Sequence, residues 1–224
     1  MVSGFAMKNY LKRSAVLIIL LLHVAHIQAQ KTSVFKSFFK LSRPEKCWVM
    51  RHPFIAKKAF IKTQDVLKIT DSIAKTTVLD GDKNGGQVDA FRHAYWMALL
   101  SKHFGRHKAL RLGRAHEKGN HIDYKKHRLE EGTHPDKVSS DMDLYNNIGG
   151  AALENDNKTA TDKELQTLVI NAIKAGKMKI IKKDSHGNFL DKDNTIIPAD
   201  SLKGKWENGK CLINSDWKFI PKTG

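Results

Sequence analysis

Three stretches carry residue types that do chemistry, at spacings able to bring them together. The first, Asp80 to Leu100, reads DGDKNGGQVDAFRHAYWMALL. It runs from an acidic, glycine-rich loop into a segment holding Asp89, Arg92 and His93. On a helix Asp89 and His93 stand at i and i+4, on one face. The carboxylate can accept a hydrogen bond from the imidazole and orient it, as carboxylates do beside catalytic or metal-bound histidines. Arg92 can hold a phosphate or a carboxylate. The second stretch is Ala115-His116-Glu117, in which Glu117 is a candidate general base or ligand and His116 a ligand or base. The next histidine, His121, follows His116 at i+5, so the i, i+4 zinc-protease pattern is not met. The third is Met142 to Asn147, where Asp143, Asn146 and Asn147 share a helix face. Two amides beside a carboxylate are costly to bury without partners, so that face must meet something polar.

Each stretch also has a structural reading. An Asp–His pair on a helix is more often a hydrogen-bonded pair than a centre. His116 fits a core histidine and Glu117 a surface charge. Ser140 and Asp143 form an S-x-x-D capping box, which accounts for Asp143 as a helix start. A second candidate metal loop lies just upstream. Asp80, Asp82 and Asn84 alternate oxygen side chains as in the first half of a Ca²⁺ loop, but position twelve is Phe91, where a bidentate Glu belongs. Without an ion, the loop is a Gly/Asp/Asn turn before a helix.

The elements that must position these residues follow from periodicity. Helical spacing runs from Ile55 to about Thr76, from Gln87 to about His103 with an apolar stripe through Val88, Phe91, Tyr95 and Leu99, and from Lys108 to about Asn120. Ser139 opens a further helix, in which Gly149-Gly150 permits close approach of a neighbour. Thr161 caps another through Glu164, and Gly176 ends it. Asp123 to Lys137 is polar, broken by Gly132 and Pro135, and long enough to serve as a lid or substrate-contacting loop. Beyond Lys177 the pattern shortens to extended pieces and turns. The fold expected is mainly α, a compact bundle of four to five helices with a small C-terminal β appendage.

Residues 1–29 read as a signal peptide, with Lys8, Lys12 and Arg13 before an apolar run from Ala15 to Val24 that is too short to span a bilayer comfortably. Export to the periplasm or beyond is therefore expected. Residues 30–54 form an N-terminal extension whose Phe35, Phe38 and Phe39 either pack on the body or touch a membrane. Residues 55–176 form the helical core with the polar site, and 177–224 the β tail. The two cysteines, Cys47 and Cys211, suit a disulfide tying extension to tail in an oxidising compartment. At 41% hydrophobic and 28% charged residues the chain is globular, and its formal net charge of +16 favours anionic partners. These are an anionic substrate or envelope component, or an anionic membrane surface. Nucleic acid ranks below them, since no basic stripe interleaved with aromatics stands out.

Taken together, DAFRHAYWMALL, AHE and SSDMDLYNNIGG resemble an uncharacterised helical domain of exported bacterial proteins. They are similar, too, to C-terminal domains of RHS-type polymorphic toxins. The resemblance covers about Gly81 to Ala152. It implies that Asp89, Arg92, His93, His116, Glu117, Asp143, Asn146 and Asn147 act as one constellation. The toxin association implies a hydrolase. A looser similarity links the glycine-rich loop and histidine helix to secreted phospholipases A2. Ala94 stands where that family has its Ca²⁺-binding Asp, and the paired cysteines are missing, which argues against that mechanism.

The function expected is an exported, metal-assisted hydrolase of a phosphodiester, phospholipid or envelope polymer. Asp89, His93, His116, Glu117 and Asp143 would hold a divalent ion (Zn²⁺, Mn²⁺ or Ca²⁺) or activate water. Arg92, with the amides of Asn146 and Asn147, would steady an anion. The alternative is a non-catalytic envelope protein whose polar constellation locks its helices together.

Overall fold

The computed structural model describes residues 37–129 and 133–218. The chain divides into two units, Met1–Leu41 and Ser42–Gly224. Of the first, residues 37–40 are helical; the expected signal peptide and Phe35 lie outside the described residues. Everything below concerns the second unit, which is mainly helical with a two-stranded sheet near its C-terminal end.

The unit begins with α1 (Arg43–Arg51), started by Ser42, whose hydroxyl accepts from Glu45 N while the Glu45 carboxylate accepts from Ser42 N at 2.8 Å. This reciprocal box satisfies two of the amides a helix start leaves orphaned. His52 then caps α1, and Pro53, with no N–H to waste, opens α2 (Pro53–Ala74). Next come α3 (Gln87–Phe104), α4 (Arg106–Lys125), α5 (Lys137–Asp156) and α6 (Asp162–Lys174), the last begun by the expected Thr161–Glu164 box. The tail adds β1 (Lys179–Ile181), a single helical turn α7 (Ala199–Leu202), and β2 (Leu212–Asn214), which pairs antiparallel with β1 so that Ile180 faces Ile213.

The axis of the fold is α3. Thirteen of its eighteen residues are buried, so it is enclosed on nearly every side and not merely along one stripe. Two apolar clusters share it. Phe91, Tyr95 and Leu99 pack with Val66 and Ile73 of α2 and with Leu165, Val169 and Ile173 of α6. Met97 and Leu100 pack with Trp48 of α1, Leu112 of α4 and Ala151 of α5. The closest crossing is between α3 and α5, where a Cβ at Gly150 would collide with the Ala94 carbonyl. Only glycine allows the two polar helices to meet there.

Three sequence expectations need correction. First, α4 does not stop near Asn120 but continues to Lys125, with His121 inside it. Gly119 is there because α1 crosses close by: a Cβ would lie 2.5 Å from Ser42 Oγ. Second, α5 starts before the Ser140–Asp143 pair. Its cap is Asp136, whose carboxylate accepts from Ser139 N at 2.8 Å, leaving Asp143 in the helix interior and buried. Third, Cys47 and Cys211 form no disulfide; both are free thiols. Cys47 is exposed on α1, which packs against α4 and α2, whereas Cys211 precedes β2, its carbonyl accepting from Lys182 N in the sheet. The tail is fastened by polar bonds instead. Asn146 of α5 donates to Lys179 O and accepts from Lys179 N, both at 2.9 Å. Lys210 and Asn208 reach the Asp136 cap at 2.6 and 2.9 Å. In the described residues no helix is long and apolar enough to cross a membrane.

Candidate functional site

The α3–α5 crossing brings Asp89, His93 and Asp143 together. His93 is 2% exposed. Its Nε2 lies 3.2 Å from Asp143 Oδ1 and 3.6 Å from Asp89 Oδ1. Neither ring nitrogen makes an aligned hydrogen bond. One donor atom from each of the three residues falls within a 4.8 Å cluster, and among the described residues this is the one group of three or more His, Cys, Asp or Glu so placed. All three are buried.

Neighbouring residues set the orientation and charge of this cluster. The Gly85 amide donates to Asp89 Oδ2 at 2.7 Å, fixing the carboxylate from the loop. Arg92 grips the other oxygen through Nε at 3.2 Å and Nη2 at 2.5 Å. Burial drives the His93 pKa well down, and the positive charges of Arg92 and His116 push it further; Asn147, approaching the ring without full alignment, works the other way. The ring is thus held neutral, with a lone pair to offer to an ion. The Asn147 side chain is also the nearest neighbour a Cβ at Gly113 would meet, so α4 approaches α5 closely beside the cluster.

The other expected residues are distributed around this triad. His116 is half-buried, its ring at 75° to that of Trp96 and its Nδ1 3.1 Å from Glu45 Oε1 on α1. Burial raises the Glu45 carboxyl, but the His116 bond and the Ser42 bonds outweigh it and leave the pKa lowered. Glu117 is buried, and its Oε2 accepts from Asn120 at 3.2 Å. Asn146 serves the β1 clasp described above. The loop oxygens are engaged by the backbone. Asp80 accepts from Asp82 N at 2.9 Å and from Gln87 N at 2.7 Å, capping α3. Asp82 accepts from Asn84 N at 2.9 Å and meets Lys183 at 2.5 Å. Burial raises the Asp80 pKa. These bonds account for the acidic loop as the start of α3 without an ion.

The triad opens on a cleft of about 370 Å³ whose walls include Asp89, Arg92 and Asp143. Thr133, His134 and Pro135 form another wall, so the expected substrate-contacting loop does reach the site. Sequence reading missed the third wall, Leu67, Thr70 and Asp71 of α2. Thr70 is 2% exposed and its hydroxyl has no aligned partner. A buried threonine amid helical spacing looks like any core position, and only the tertiary packing of α2 on α3 turns it toward the cleft. Asp71 is tied to Lys83 at 2.6 Å, a pairing across the loop that no short-range pattern announces.

Residues 46–177 match the family model described as Domain of unknown function (DUF6973), and the chain belongs to that family. The match spans α2 to α6 and therefore the whole triad; no link to RHS-type toxins accompanies it. No curated protein and no solved structure matches the chain.

Proposed function

We propose that this member of the family is a metal-assisted hydrolase of an anionic ester. The observation that carries the reading is His93. A neutral, buried imidazole between two carboxylates, with no aligned hydrogen bond at either nitrogen, is a costly arrangement in a folded core. An ion held by Asp89, His93 and Asp143 resolves it, since one imidazole and two carboxylates suit Zn²⁺ or Mn²⁺, and Ca²⁺ less well. Such an ion, when bound, polarises an ester oxygen and lowers the pKa of water. The protein supplies the rest. Asp143 would hold the ion at the cleft wall; Arg92, also at the wall, steadies a negative charge. His116 and Glu117 act from behind, through charge and packing. The basic balance of the chain favours a phosphodiester, phospholipid or envelope polymer as substrate, and the apolar 15–24 run supports export.

One observation favours the competing structural reading: Asp89 is already bonded to Arg92 and to Gly85. Metal content of the purified chain, compared with His93→Ala and Asp143→Asn, separates the two. About one equivalent of metal, lost in both variants without loss of helicity, together with metal-dependent cleavage of phosphodiester or carboxylic ester reporters, is expected. No metal and no cleavage, with both variants merely less stable, would make the triad a lock between α3 and α5.

A further inference from the structure

A second concave site lies away from the triad, between α1 and α4. It is a groove of about 290 Å³ bordered by Arg51, Arg111, Arg114 and Lys118, with Trp48 and His52 at its base. Arg111, Arg114 and Lys118 recur along α4 at helical spacing, so they form one exposed ridge. From Arg106 to Lys118 the only carboxylate is Glu117, and it is buried. Among the described residues none of these four cations takes part in an ion pair, whereas other surface cations such as Lys62, Lys83 and Lys137 do. Sequence inspection misses the ridge because its fourth cation comes from another helix.

Two exposed apolar side chains neighbour the groove residues in sequence. Met50 precedes Arg51 and is 64% exposed; Phe54, two residues after His52, is 98% exposed. A cationic groove beside exposed, flexible or aromatic apolar groups is the composition of a surface that enters the headgroup region of an anionic bilayer. Cations meet phosphates while the apolar groups insert. A nucleic-acid strand fits less well. The indole in the groove, Trp48, is 4% exposed, covered by His52 stacked at 4.6 Å, and so is not available to a base.

We propose that the α1–α4 face docks on anionic phospholipid, its groove taking the phosphate headgroup and Met50 and Phe54 entering the interface. This holds whether or not the triad is catalytic. The test is co-sedimentation of the full chain with vesicles of phosphatidylcholine alone and of phosphatidylcholine mixed with phosphatidylglycerol. Parent, Arg111→Gln/Arg114→Gln and Phe54→Ser are compared, with helicity checked by circular dichroism. All three substituted side chains are exposed, so the fold is retained. Because the apolar 15–24 run can itself partition, the readout is the difference between parent and variant on one vesicle type. Expected are binding to the mixed vesicles that salt weakens, a loss of roughly fivefold per arginine removed, and a loss in Phe54→Ser that salt does not mimic. Equal binding by parent and variants overturns the proposal, as does no preference for anionic vesicles. Tighter binding to a single-stranded oligonucleotide than to any vesicle, abolished by the arginine variant, also overturns it and assigns the groove to nucleic acid.

Discussion

At the scale of single residues, two side chains decide how the site is read. Asp143 sits three positions after Ser140, and that spacing alone makes it a helix cap. The structure gives the cap to Asp136, so Asp143 is buried beside His93 with a different task. His93 and Asp89 were readable from their i, i+4 spacing, but their distance to Asp143 was not, because it depends on where α5 crosses α3. The roles can be separated by substitution. Asp143→Asn keeps the volume and removes the charge. If Asp143 holds the ion, the variant should lose the metal and with it about 100-fold or more in kcat. Arg92→Lys should behave differently. Lysine offers a point charge and not the planar fork that now grips Asp89, so the carboxylate loses orientation and the anion loses a donor. A higher KM with a smaller fall in kcat is expected. Steady-state kinetics on whichever reporter ester is cleaved distinguish the two, and identical profiles would show that neither residue has the part assigned to it.

At the scale of elements, the helices were legible and their contacts were not. Periodicity and caps located α2 to α6, apart from the last turn of α4 and the cap of α5, since helix starts and stops are written largely in local sequence. Gly149-Gly150 signalled a close crossing without naming its partner. The partner is Ala94, next to His93. Gly150→Ala should therefore cost about 3 kcal/mol or more, because the new methyl meets backbone that cannot move aside. Thermal melting measures this. A second consequence concerns the start of α5, next to the cleft wall formed by 133–135. Burial raises the Asp136 pKa, but the charge and bond of Lys210, with Ser139 and Asn208, outweigh it, so the folded-state pKa lies below the ordinary 3.8. A carboxyl depressed by folding stabilises above its unfolded pKa and loses that contribution as pH falls through the folded value. Stability should thus decline below about pH 4. Asp136→Asn keeps an acceptor for the helix start but leaves the largely buried Lys210 without its counter-charge. Urea melts should show the variant less stable by roughly 3 kcal/mol at neutral pH, with a shallower decline in acid. A parallel acid decline in parent and variant would remove Asp136 from the account.

At the scale of the whole molecule, the sequence was least reliable where it relied on compartment. A chain expected to be exported, with two cysteines, one in the first quarter and one near the end, invites a bridge between them. What the chain alone could not reveal is that α1 is committed to α4 while the C-terminal strand is committed to β1, so the two thiols face different neighbours. The cleft shows the same limit, since its α2 wall comes from a helix whose pattern spells only packing. The missing bridge has a measurable consequence. Closing a loop over most of this chain would contribute about 5 kcal/mol in the chain-entropy view. For a chain of this size that corresponds to about 10–20 °C in Tm. The structure places the hold on the tail elsewhere, in the double Asn146–Lys179 bond and the Lys210–Asp136 pair. Hence a reductant should leave Tm unchanged. The denatured, unreduced chain should titrate two thiols, and in the native state Cys47, which is exposed, should react before the half-buried Cys211. Asn146→Ala should lower Tm where Cys47→Ser does not. If instead the denatured chain shows no thiol and reduction lowers Tm by about 10–20 °C, the tail is held covalently and α1 must lie against it.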